Sequence, residues 1–181
     1  MELLRGFIKR RFGLTECGEP VRWPVLTGGP RDKTHADGLL LVGDVAGHTK
    51  PTTGGGVILG GMCAMMAAGT TLQALEEGDY SASFLKRYDD KWREALGGEF
   101  SYMLGMRRFL NSLPDPRMNR IFASVKSSGL EPTLETFIEE GDMDLQSGVL
   151  RRALTHPAML RVMVSSLGRL ALGELRGRFN I

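Results

Sequence analysis

Apolar positions recur at helical intervals along most of the chain, and one short stretch breaks that rhythm. Residues 1–12 mix Leu3, Leu4, Phe7 and Ile8 with Lys9, Arg10 and Arg11 at a spacing that predicts a short amphipathic helix. From 13 to 36 the pattern gives way to Gly and Pro, including Pro20, Pro24 and Pro30. Short β pieces such as 21–26 fit there only at sheet edges, and Gly28-Gly29-Pro30 marks a turn. Gly38-Leu-Leu-Leu-Val-Gly43 is an apolar run bounded by turn residues, and it reads as a buried strand of a parallel sheet with Asp44 at its carboxyl end.

A loop then leads through Pro51 to Gly54, Gly55 and Gly56. Val57 to Leu75 carries no charge, and Glu76-Glu77-Gly78 closes it. After residue 79 the chain becomes charged and periodic, with Phe84, Leu85, Tyr88 and Trp92 at helical intervals. The spacing predicts helices over 80–95, 99–113, 119–127 and 134–140. A further one over 149–172 is interrupted at Pro157, and Pro114 and Pro116 separate the second helix from the third. The organisation expected is a small α/β piece over 1–78 and an all-helical region over 79–181.

Composition narrows the function classes. An apolar share of 42% in 181 residues supports a folded core. A net charge of +2 gives no argument for a nucleic-acid partner. Cys17 and Cys63 lie far apart and match no metal-ligand or disulfide spacing, so two reduced thiols in a cytoplasmic protein are expected, and no metal.

The chemistry concentrates in Asp37 to Gly61, DGLLLVGDVAGHTKPTTGGGVILGG. A strand of this kind delivers Asp44 to the sheet edge where open α/β folds bind ligands. A carboxylate there accepts hydrogen bonds from a polyhydroxyl chain. Gly43 allows close backbone approach, and Gly54, Gly55 and Gly56 allow conformations that other residues resist. The helix that follows presents free N–H groups and a partial positive charge, which suit an anion.

This segment resembles the second flavin motif of the glutathione-reductase-like and hydroxybenzoate-hydroxylase-like flavoproteins. It is most similar to the geranylgeranyl reductases, whose pattern is roughly DGLLLVGDAAGxxxPxTGGGI; the chain departs from it at Val45 and Val57. Phe84-Leu-Lys-Arg-Tyr88 with Trp92-Arg93, and Glu140-Gly-Asp-Met-Asp144, also resemble family segments.

The resemblance implies the C-terminal fragment of an FAD-binding fold followed by an all-helical C-terminal region. Residues 1–78 would then hold the end of the flavin domain with remnants of a substrate domain. It implies FAD as cofactor, with Gly43, Asp44, Pro51, Gly54, Gly55, Gly56 and Val57 as binding residues. Asp44 would hold the ribityl chain, and the helix start at Gly55, Gly56 and Val57 would lie on the pyrimidine side of the ring. The activity implied is reduction of carbon–carbon double bonds in an isoprenoid lipid chain.

The ADP-binding GxGxxG turn of such a site does not occur in this sequence. A truncated gene product, half of a split enzyme or a fragment is therefore expected. An N-terminal flavin-binding half is the partner, and flavin binding by the chain alone should be weak. Two other readings stay open: a flavoprotein dehydrogenase passing electrons to a quinone or other carrier, and a non-catalytic truncated helical module. No residue stands out as a proton donor. His48, in the motif loop, reads as a tolerated loop residue rather than a catalytic one, and the stripe of Tyr80, Phe84, Tyr88 and Trp92 as core.

Val57–Leu75 approaches the roughly 20 residues that span a bilayer, but its Gly, Ala and Thr content favours a buried soluble helix. Gly56 and Gly60 fit close packing in either setting. Arg151, Arg152, Arg161, Arg169, Arg176 and Arg178 make the last third basic. That region suits either a solvated helix face or peripheral contact with an anionic membrane.

Overall fold

The computed structural model describes residues 2–15, 18–19, 21 and 23–167. It is mostly helical, with one small two-stranded sheet. The order is α1 (Glu2–Phe12), β1 (His35–Ala36), β2 (Leu39–Leu40), a 3-10 turn at Gly43–Ala46, α2 (Val57–Glu77), α3 (Ala82–Ser112), α4 (Asp115–Ser127), α5 (Glu131–Glu139), α6 (Ser147–Thr155) and α7 (Pro157–Leu167). No strand forms over the described residues of 21–26. The basic residues Arg169, Arg176 and Arg178 lie outside the described residues, as does Cys17.

The buried parallel strand expected over 38–43 is not formed. β2 holds only Leu39 and Leu40, and it pairs antiparallel with β1 in the register His35↔Leu40 and Ala36↔Leu39. The reason is local. Asp37-Gly38 is a two-residue hairpin loop, with Gly38 at φ +63°. Gly43, at φ +71°, turns the chain away again after two further residues. Leu39 is consequently half open to solvent.

α2 and α3 form the main core. α2 ends where Gly78 takes φ +66° and its N–H bonds the carbonyl of Ala74. Ser81 starts α3 by accepting from the Phe84 N–H at 3.3 Å. The two helices expected over 80–95 and 99–113 are one continuous helix. It runs through Gly97-Gly98 because Trp92, Leu96, Phe100 and Met103 keep one buried stripe across the glycines, packed on Leu59, Cys63 and Ala67 of α2. Each large side chain buried there contributes about 1.5–3 kcal/mol, against the ~1 kcal/mol that a helical glycine costs.

Two smaller clusters hold the helical region. Met106 and Phe109 meet Leu154 and Met163, and Val125 and Leu130 meet Met159 and Val162. α4 begins before Pro116, which sits in its first turn, where a missing N–H costs nothing. Pro157 likewise opens α7. Phe84, Tyr88 and Trp92 are buried, whereas Tyr80 is half exposed.

Candidate functional site

The motif segment folds as a coil braced on α3. Gly43 N–H donates to Nδ1 of His48 at 3.3 Å, and His48 N–H returns to the Gly43 carbonyl at 3.0 Å. Gly47, at φ +76°, closes the 3-10 turn with its N–H on the carbonyl of Asp44. A side chain at Gly47 would overlap the carbonyl of Gly29, because Arg31 N–H donates to Ala46 O at 3.0 Å and draws the two strands of coil together. Farther on, Lys50 N–H donates to Gly55 O at 2.7 Å and Gly54 N–H to Lys50 O at 2.8 Å. That small loop presents Gly55 and Gly56 at the start of α2.

The sequence-predicted residues fall into two groups. Asp44, Gly56 and Val57 come together. A Cβ on Gly56 would lie 2.9 Å from Oδ1 of Asp44 and 2.9 Å from Cγ2 of Thr49, so only glycine fits between the carboxylate and the loop. Gly43 joins them from the other side, because a Cβ on Gly60 of α2 would stand 3.4 Å from the Gly43 Cα. Asp44 is exposed, and no donor among the described residues bonds its carboxylate. The start of α2 has no side-chain cap, and Val57 is 88% exposed. The N–H groups there are open to an outside acceptor. Pro51 is buried instead, its carbonyl bonded by Arg107 at 2.8 Å, and Gly54, at φ +79°, faces Val25. These two shape the loop from behind.

Three supports were not read from sequence. His48 is fully buried, its ring 4.9 Å from that of Trp92, 6.0 Å from Phe100 and 6.4 Å from Tyr88. Burial pushes its pKa down to about 4, so the ring is neutral and its Nδ1 is an acceptor for Gly43. It is a pillar of the loop and does not reach the exposed carboxylate side.

The second support is Asp89. It accepts from the Thr34 N–H at 3.1 Å, from the Thr34 hydroxyl, and from Arg93 at 2.7 Å. Trp92 Nε1 donates to the same Thr34 hydroxyl at 2.9 Å. Burial raises the Asp89 pKa, but Arg93 and Thr34 outweigh it and hold the carboxyl below the usual range. Arg93 also donates to the carbonyls of Arg31 and Asp32, which ties 31–34 to α3.

The third support is remote in sequence. Lys50 pairs with Asp144 at 2.7 Å and donates to Met143 O at 3.0 Å, and Thr52 donates to Gln146 at 2.6 Å. Asp142 organises that second segment by accepting from the N–H groups of Leu145 and Asp144, which holds its carboxyl below the usual range. The resemblance of 140–144 to a family segment singled it out, but nothing local tied it to Lys50.

No family model matches the chain. It is similar to the digeranylgeranylglycerophospholipid reductase of Methanothrix thermoacetophila, 34% identical over 127 residues, which is 70% of this chain and 32% of that protein. It is similar to reductase 2 of Methanothermobacter thermautotrophicus, 33% identical over 135 residues (75% of this chain, 32% of that protein). Reductase 2 of Methanopyrus kandleri is 41% identical over 93 residues, covering 51% of this chain and 24% of that protein. The chain belongs to the geranylgeranyl reductase-like family. It spans about a third of the length of the curated relatives it matches. Within this family member, Gly56 lies against the exposed carboxylate of Asp44, while Gly47 is packed on the backbone of Gly29.

Proposed function

We propose that this chain supplies the ribityl- and pyrimidine-facing half of an FAD site in an oxidoreductase that reduces carbon–carbon double bonds of isoprenoid lipid chains. The observation that carries it is the contact of Asp44 with Gly56 at the uncapped start of α2, in a chain whose relatives are named digeranylgeranylglycerophospholipid reductases. The residues fit the group. An exposed, unpaired carboxylate accepts hydroxyl hydrogen bonds, and the helix start offers N–H donors and a positive end to a ring that gains negative charge on reduction. When bound, the flavin supplies hydride to an alkene carbon.

The residues of this chain hold and polarise rather than exchange protons. Asp44 orients the sugar-like chain. Gly55, Gly56 and Val57 present the helix start, and Gly43, Pro51 and Gly54 keep the loop shape that brings them together. The proton that completes saturation comes from a group outside this set. The same reading divides the chain at residues 78 and 79, into the end of a flavin domain and a helical domain, and it needs a protein layer that binds the ADP portion. It places the protein in the cytoplasm, with exposed Arg151 and Arg161 available to an anionic membrane surface.

The test is turnover. The chain is co-expressed with the N-terminal portion of the Methanothrix relative, reduced chemically, and given a polyunsaturated isoprenoid glycerolipid. Mass spectrometry should show two added hydrogens for each double bond reduced. Bound flavin that is reoxidised by a quinone while the lipid stays unchanged would replace this reading with that of a carrier-linked dehydrogenase.

A further inference from the structure

The ammonium of Lys50 stands where a positive charge is disfavoured. A Cβ on Gly55 would lie 2.8 Å from Cε of Lys50 and 3.4 Å from its Nζ, so this side chain lies across the residue that leads into α2. The helix begins at the next residue, Gly56, with no side-chain cap. The positive end of a helix dipole repels a cation there. Lys50 is nevertheless held in place. Its Nζ pairs with Asp144 at 2.7 Å and donates to the Met143 carbonyl at 3.0 Å, and only 13% of the side chain is exposed. Its backbone is fixed to the same loop, with Lys50 N–H on Gly55 O at 2.7 Å.

Two structural roles do not account for the charge. As a tether to 142–146, Lys50 duplicates Thr52, which already reaches Gln146 at 2.6 Å. As an ion pair it stabilises little, because Asp144 is 35% exposed. Neither role needs an ammonium beside the start of α2. The family pattern leaves position 50 open, so membership alone does not call for one.

An anion in front of α2 reverses the sign. The helix start and the ammonium then act on it together. Asp144 offsets part of that field but stands farther away. Lys50 and Thr53 supply the three atoms nearest the Gly55 position, and Asp144 supplies none. Asp142, the other acid near Lys50, is turned onto the N–H groups of Asp144 and Leu145.

We propose that Lys50 sets the reduction potential of the flavin held at the start of α2, its ammonium stabilising the negative charge that the ring carries when reduced. The inference rests on the flavin reading above.

The test reads potential and affinity separately. The chain, co-expressed with the N-terminal portion of the Methanothrix relative and loaded with FAD, is reduced stepwise beside an indicator dye. The ratio of reduced to oxidised flavin is read where the dye is half reduced. Lys50→Met should lower that ratio at least about tenfold, which is about 30 mV for a two-electron couple. Its affinity for oxidised FAD should stay within about threefold of wild type. Lys50→Arg keeps the charge and should keep the ratio. Thr52→Val loosens the same two segments without touching a charge and should also leave it unchanged. Asp144→Asn retains an acceptor for Lys50 and removes the opposing charge, so the ratio should equal or exceed that of wild type; it serves as the second variant where Lys50→Met forms no complex. An unchanged ratio in Lys50→Met, an equal fall in Thr52→Val, or a fall in Asp144→Asn would overturn the proposal. So would weaker binding of oxidised FAD at an unchanged ratio, which would assign Lys50 to a group charged in both redox states, such as a phosphate. Each of these outcomes leaves the flavin reading standing. A wild-type complex that takes up no FAD removes that reading and the proposal with it.

Discussion

His48 offers the sharpest quantitative test of how the motif loop is held. Its ordinary pKa of 6.5 falls to about 4 in the folded chain through burial among aromatic rings. The unfolded chain therefore takes up a proton on acidification before the folded chain does. The stability tied to neutral His48 is complete above about pH 6.5 and is lost as pH falls toward about 4. With one pKa unit equivalent to 1.36 kcal/mol, the loss between about pH 8 and pH 5 is about 2 kcal/mol from this residue alone. His48→Phe should keep most of the packing and remove the titration. It also leaves the Gly43 N–H without its acceptor, which costs about 1–3 kcal/mol at either pH. Urea unfolding of both proteins at both pH values measures the difference of differences. Asp89 titrates below this window, and the remaining histidines cancel in the comparison. Equal pH dependence in wild type and variant, within about 0.5 kcal/mol, would refute a buried neutral His48.

Thr34→Val should leave Trp92 Nε1 without its acceptor and remove a donor from Asp89. A loss of about 1–3 kcal/mol is expected in the same unfolding assay. Gly47→Ala should cost at least about 2 kcal/mol, from the left-handed backbone and the overlap with Gly29, read as a lowered melting temperature. Lys50→Ala should accelerate amide exchange at 142–146 while changing overall stability by no more than about 1 kcal/mol, since Asp144 is partly exposed. Cys63 is fully buried, and its thiol is pushed up to about 12. In a Cys17→Ser background it should resist thiol reagents until the chain unfolds.

What could be read from the sequence follows the range of the forces involved. α2 was legible because an uncharged run closed by Glu76-Glu77-Gly78 states its own limits, and the stripe of Phe84, Tyr88 and Trp92 marked the buried face of α3. The apolar run at 38–43 is a poor guide because turn chemistry outweighs hydrophobicity in so short a segment. Asp37-Gly38 is a hairpin signal, and it prevails when only four residues separate it from the next turn at Gly43. Gly97-Gly98 suggested a break in α3 that packing across the glycines overrides. In the candidate site, the Asp44–Gly56 approach follows from the motif spacing. The role of His48 does not, since its burial is decided by rings some forty to fifty positions away, by count from the sequence. The anchors Asp89–Thr34 and Lys50–Asp144 are long-range for the same reason.

The central claim is that Asp44 and the start of α2 hold a flavin, and FAD titration tests it most directly. The chain co-expressed with the N-terminal portion of the Methanothrix relative, stripped of cofactor, is titrated with FAD and followed by quenching of flavin fluorescence. Saturable stoichiometric binding is predicted, weakened at least about tenfold by Asp44→Ala in an intact complex. Unchanged affinity in that variant would contradict the account.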